Sequence, residues 1–96
     1  MDGKEIKEEI ADVNPEALFI DGFDGDTDGY NEALIGHGSR CGMNDVAVYS
    51  GAEILDILIN KYEMSSEEAY EWFEYNIAGA YVGENTPIIV HDLRNE

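Results

Sequence analysis

Val46-Ala47-Val48-Tyr49-Ser50-Gly51-Ala52-Glu53-Ile54-Leu55-Asp56-Ile57-Leu58-Ile59-Asn60 is the stretch on which the fold turns. Its opening, Val46 to Ser50, is a short apolar run of strand character. Ser50 stands three residues ahead of Glu53, the spacing of a capping box. There the serine oxygen accepts from a backbone N–H of the first turn and the glutamate reaches back, so a helix begins. Ile54, Leu55, Leu58, Ile59 and Tyr62 follow at helical spacing. A strand that runs straight into a helix is the predicted centre of the domain.

Working outward, Ala33 to Ser39 is a second strand-like run, and Arg40 to Asp45 separates it from the first. The pair predicts a hairpin whose loop is too long for a tight two-residue turn. Downstream, Ser65 and Glu68 repeat the capping box, and Ala69, Trp72, Phe73 and Ile77 mark the inner face of a second helix. Asn76 also falls on that inner side and, if buried, needs hydrogen-bond partners from the sheet. Gly79 suits the helix C-terminus, and Thr86-Pro87 introduces a last strand, Ile88-Ile89-Val90. The order β-β-α-α-β predicts an α+β fold: a small antiparallel sheet with two helices packed on one face.

Residues 1–15 read either as a short weak helix, with Ile6, Ile10 and Val13 at helical spacing, or as a frayed acidic arm. Asn14-Pro15 closes that segment, because the residue before proline is pushed out of the helical region. Residues 16–92 then form a single domain and 93–96 a charged tail. Length allows no second core: the chain has 96 residues.

Its charge is extreme, with 22 Asp and Glu against 5 Lys and Arg, a net −17. A field of that sign repels nucleic acid and anionic membranes, so neither is an expected direct partner. Charge is uneven: residues 36–50 carry only Arg40 and Asp45, whereas residues 65–78 carry four acids and no base. The neutral stretch is the expected centre of the sheet. Cys41 is the one cysteine, so an internal disulfide is excluded. The start, Met1-Asp2-Gly3-Lys4-Glu5, lacks the basic and apolar regions of a signal peptide, and no apolar run approaches the roughly 20 residues of a membrane helix. A cytoplasmic protein is expected, monomer or homodimer.

Three constellations could carry chemistry. Asp24-Gly25-Asp26-Thr27-Asp28-Gly29 matches the opening of an EF-hand loop, with Glu32 at position nine, but position twelve is Ile35 where a bidentate glutamate belongs. Calcium is the one cofactor this motif admits, on Asp24, Asp26, Asp28 and Glu32; the alternative is a solvated turn. Gly36-His37-Gly38-Ser39-Arg40-Cys41 brings potential hydrolase groups together. Sequence proximity alone does not make a nucleophile–base pair, and the competing reading is a Gly-rich strand end with a small buried thiol. His37, Cys41 and His91 lack the paired spacing of a zinc site.

The third constellation is the acidic face of the second helix. At about 100° per residue Glu67, Glu71 and Glu74 share a narrow arc bordered by Glu68, and Trp72 and Phe73 take the other side. Carboxylates one turn apart approach the separation of phosphates along a nucleic-acid strand, so the helix could imitate one for a basic protein. The competing reading is an ordinary solvated face. Tyr49, Tyr62, Tyr70, Tyr75, Tyr81 and Trp72 divide between core or rim packing and contact anchors.

Asp21-Gly22-Phe23, Glu32-Ala33-Leu34-Ile35-Gly36, Ser39-Arg40-Cys41-Gly42, Val46-Ala47-Val48-Tyr49, Glu74-Tyr75-Asn76 and Thr86-Pro87-Ile88 occur in that order. In combination they resemble a family of small uncharacterised acidic proteins encoded by tailed bacteriophages and prophages, over roughly residues 16–90. Gly25 to Asn31 departs from the family as an extra loop. The resemblance implies a setting, a virus-encoded protein in the host bacterial cytoplasm, and no activity. The resulting expectation is a non-enzymatic accessory protein that binds a basic protein of host or phage; a calcium-binding module is the alternative, and a His37/Cys41 hydrolase the third reading.

Overall fold

The structure, a computed structural model, describes residues 1–79 and 83–95. Strand β1 (Leu34–Arg40) pairs antiparallel with β2 (Met43–Ser50), placing Leu34 opposite Tyr49 and His37 opposite Ala47. Only Cys41 and Gly42 lie between them, so the turn is tight where a longer loop was expected. Gly42, at φ +77°, supplies the left-handed residue the turn requires. Strand β2 runs on through the polar Asn44 and Asp45, where the register shifts: between the pairs Gly38–Val46 and Arg40–Met43 these two residues stand against Ser39 alone, a β-bulge. Cys41, at the tip, is exposed rather than buried.

The third strand corrects the predicted sheet. Strand β3 (Ile88–Val90) lies beside β2 in parallel, Val48 opposite Ile88 and Ser50 opposite Val90. The order is β1-β2-β3, the neutral stretch 36–50 covers the first two strands, and the sheet is mixed rather than antiparallel. Parallel neighbours need a crossover of a dozen or more residues, which residues 51–87 supply. An apolar tripeptide carries no mark of its direction, so sequence alone could not distinguish the two pairings.

Helix α2 (Gly51–Asn60) starts where β2 stops, with the Glu53 N–H donating to Ser50 Oγ at 3.3 Å. It unwinds through Glu63, a non-glycine residue in the left-handed region at φ +57°. Helix α3 (Ser66–Phe73) has the full capping box: Glu68 N–H to Ser65 Oγ at 3.1 Å and Ser65 N–H to Glu68 Oε1 at 3.2 Å. It continues as a π turn over Glu74–Ala78.

Of the two readings of the N-terminus, the helix is present: α1 (Gly3–Val13) is capped reciprocally by Asp2 and Glu5. Ile10 is 1% exposed and lies in the common core, so this segment belongs to the same globule as the rest. Asn14 ends it in extended conformation and is itself buried. Its Nδ2 donates to Asp45 O at 2.8 Å and Asn85 Oδ1 at 3.0 Å, while its Oδ1 accepts from Glu16 N–H at 3.1 Å. A buried amide satisfied on both sides ties α1 to the central strand.

The core forms on one face of the sheet. Leu34, Ala47 and Tyr49 meet Ile10 of α1, Ile54 and Leu58 of α2, and Ala69 and Phe73 of α3. The result is a two-layer α+β arrangement, helices over sheet. Tyr49 also anchors an extended segment, its hydroxyl accepting from Ile20 N–H at 3.0 Å. Among the described residues no helix is long and apolar enough to cross a membrane.

Candidate functional site

Ala69 and Phe73 commit one side of α3 to the core, so Glu67, Glu68, Glu71 and Glu74 stand in solvent. Glu74 N–H still reaches Tyr70 O, so the helical phase holds through the last of the four. Their roles differ. Glu68 is partly engaged in capping, whereas none of the ion pairs among the described residues involves Glu67, Glu71 or Glu74.

Beyond Glu74 the wider π turn changes the angular step, and a wheel drawn at a uniform 100° fails there. Asn76 is exposed, not on the inner side, and its Nδ2 simply donates back to Trp72 O at 3.2 Å. Tyr75 is 84% exposed and Tyr70 58%. Trp72, expected in the core, is only half-buried. Its ring stands edge-on to Phe23, centroids 4.7 Å apart, and Phe23 in turn meets Tyr62 at 5.5 Å. Phe23, Met64, Glu68, Glu71, Trp72 and Tyr75 line an open groove beside the acidic face. Tyr81, counted with the aromatics, lies outside the described residues.

The aspartate loop is held by its own hydrogen bonds. Asp24 Oδ1 accepts from Asp26 N–H at 3.1 Å and from Tyr62 Oη at 3.1 Å. Asp26 Oδ1 accepts from Asp28 N–H at 3.0 Å, and Asp28 Oδ1 from Asn31 Nδ2 at 3.1 Å. The hydrogen bond from Asp26 N–H, above the others, lowers the pKa of Asp24. Lys61 sits 3.8 Å from Asp26, and Lys7 sits 3.7 Å from Asp28 while donating to Thr27 O. Among the described residues no three His, Cys, Asp or Glu side chains are grouped to hold a metal ion. The flanks differ from an EF-hand too: no helix immediately precedes the loop, and a 3₁₀ turn, Asn31–Ala33, follows it. Gly29 does not adopt positive φ; it is glycine because Gly22 packs against it, where a Cβ would meet Gly22 Cα at 2.6 Å. The stretch with the calcium-motif spacing forms a pinched loop of Asx turns.

On the hairpin, His37 Nδ1 lies 2.6 Å from Asp45 Oδ2, and Ser39 Oγ donates to Asp45 Oδ1 at 2.7 Å. These two contacts, the serine first, lower the pKa of Asp45. Both partners therefore converge on the carboxylate. A hydrolytic serine would instead direct its proton to the imidazole. Cys41 sits in the turn beyond them. His91 belongs to another part of the fold, stacked edge-on against Phe73 at 5.9 Å and close to Gly51.

Asp45 and Phe23 were not legible as site residues. Asp45 is three-dimensional in origin, since register brings it beside His37 and Ser39. Phe23 did leave a trace, as a large aromatic set in a Gly/Asp turn with no apolar periodicity around it. No protein-family model, curated protein or solved structure matches this chain.

Proposed function

We propose that the chain is a non-enzymatic, phage-encoded accessory protein that binds a basic protein of host or phage in the bacterial cytoplasm. In this reading the acidic face of α3 imitates the charge of a nucleic-acid strand. One observation carries it: Glu67, Glu71 and Glu74 are exposed on a capped helix and take no part in the ion pairs among the described residues, in a chain of net −17. Such a one-signed field costs folding stability through self-repulsion and speeds encounter with basic surfaces. The resemblance over residues 16–90 supports the phage setting.

The test is affinity capture from infected bacteria at low and high salt, with the wild-type chain and with Glu67→Gln, Glu71→Gln and Glu74→Gln combined. A basic protein should be captured at low salt and released at high salt, and the triple variant should fold yet capture less of it. Unchanged capture by the triple variant at low salt would refute charge mimicry by this face.

A further inference from the structure

Beside the acidic face, Phe23, Trp72 and Tyr75 present aromatic surface to solvent in an open groove of about 450 Å³, and Glu68 and Glu71 form its charged edge. Phe23 is 44% exposed and Tyr75 84% exposed, large values for aromatic rings in so small a domain. The groove is well supported from below. Trp72 is held edge-on by Phe23, and Phe23 is backed by Tyr62. Tyr30, buried and without a well-formed hydrogen bond at its hydroxyl, lies by the Trp72 indole. The Glu68 carboxylate is fixed by the Ser65 N–H at 3.2 Å. Phe23, Trp72 and the Glu68 carboxylate are therefore held by contacts within the fold before anything binds.

We propose that this groove receives an arginine side chain of the basic partner; the inference rests on the reading given under Proposed function and names the chemistry by which that partner is recognised. A guanidinium is a flat cation that stacks on aromatic faces and offers parallel N–H donors to a carboxylate. The lining offers both complements, the rings of Phe23, Trp72 and Tyr75 and the carboxylates of Glu68 and Glu71. Lysine has the charge and lacks the plane. An apolar segment would desolvate the two glutamates without compensation. A second copy of this chain would set one net charge of −17 against another. The fold already uses the same attraction on a small scale, with Lys7 Nζ 5.1 Å from the Phe19 ring and Lys61 Nζ 5.4 Å from the Tyr62 ring.

Trp72 is the only tryptophan, so its fluorescence reports on this groove directly. The full chain is titrated with a short peptide alternating glycine and arginine, then with a lysine counterpart of equal length and charge. Calorimetry runs alongside. A saturable change in Trp72 emission is expected, with the arginine peptide binding several-fold tighter. Tyr75→Ala should weaken arginine-peptide binding roughly two- to five-fold. Tyr75→Phe, which keeps the ring, should restore it, and Glu71→Gln should weaken binding and flatten its salt dependence. Equal, salt-sensitive binding of both peptides, indifference to Tyr75→Ala, or heat without a change in Trp72 emission would overturn the groove and leave the acidic face standing as a charge-only surface. Failure of both peptides to bind at low salt would overturn the basic-partner reading as well.

Discussion

Replacing Gly29 with alanine measures what the aspartate loop is for. A Cβ at that position falls 2.6 Å from Gly22 Cα and 2.9 Å from Tyr62 Oη. Carbon atoms rest about 3.5–4.0 Å apart, so the two sides of the loop must separate by about 1 Å. That movement stretches the hydrogen bonds from Gly22 N–H and Gly29 N–H to Asp26 O, at 2.8 Å and 3.0 Å. It also pushes Tyr62 away from Asp24. Overpacking of this kind costs about 1–3 kcal/mol, and each weakened hydrogen bond up to about 1 kcal/mol. The unfolded chain loses some freedom with alanine, which offsets about 0.4–1 kcal/mol. A net loss of about 2–3 kcal/mol is expected. Against a total stability of about 5–15 kcal/mol the variant still folds, with Tm lowered by about 10–20 °C. The control is Gly25→Ala, at φ +84° with nothing within 4 Å of the new methyl. It carries backbone strain alone, about 1 kcal/mol. Urea and thermal unfolding followed by far-UV circular dichroism give both numbers. If Gly29→Ala costs less than Gly25→Ala, the glycine pinch does not hold the loop and the reasoning fails.

Three further outcomes follow from the same geometry. Tyr49→Phe removes the acceptor of the Ile20 N–H, made at 3.0 Å against a fully buried ring, and should cost about 1–2 kcal/mol in urea unfolding. Burial pushes the Tyr30 and Tyr49 hydroxyls from the ordinary 10.0 up to about 12, so the stability they contribute is fully present below pH 10 and is lost as pH rises through about 12. Urea midpoints should fall across that window, and a flat profile would contradict the burial of the two hydroxyls. Cys41→Ser, exposed at the hairpin tip, should change stability by less than about 0.5 kcal/mol, whereas Gly42→Ala, at φ +77°, should cost about 1 kcal/mol in the same assay.

Local signals determined much of this protein. The serine cap at Ser50, the full box at Ser65, the proline after Asn14 and the apolar spacing of Ile54, Leu58, Ala69 and Phe73 act over a few residues, and the helices begin and face where these place them. The neutral stretch 36–50 falls on the β1–β2 hairpin, so it marked an edge strand and the central strand together. The outward set of Glu67, Glu71 and Glu74 followed from the same local rules.

What only the tertiary structure decided depends on which distant groups meet. The direction of β3 is set by how a long connection returns the chain, and Ile88-Ile89-Val90 would pair either way. The π turn after Phe73 widens a helix that its sequence would have continued regularly, and Asn76, inward on a regular wheel, stands in solvent. The aspartates of the loop had the spacing of a cation site, yet contact between Gly22 and Gly29 folds them onto their own backbone N–H groups and two distant lysines. The aromatic groove joins Phe23 to Trp72 across about half of the chain, a contact that no periodicity records because it is made between elements rather than along one.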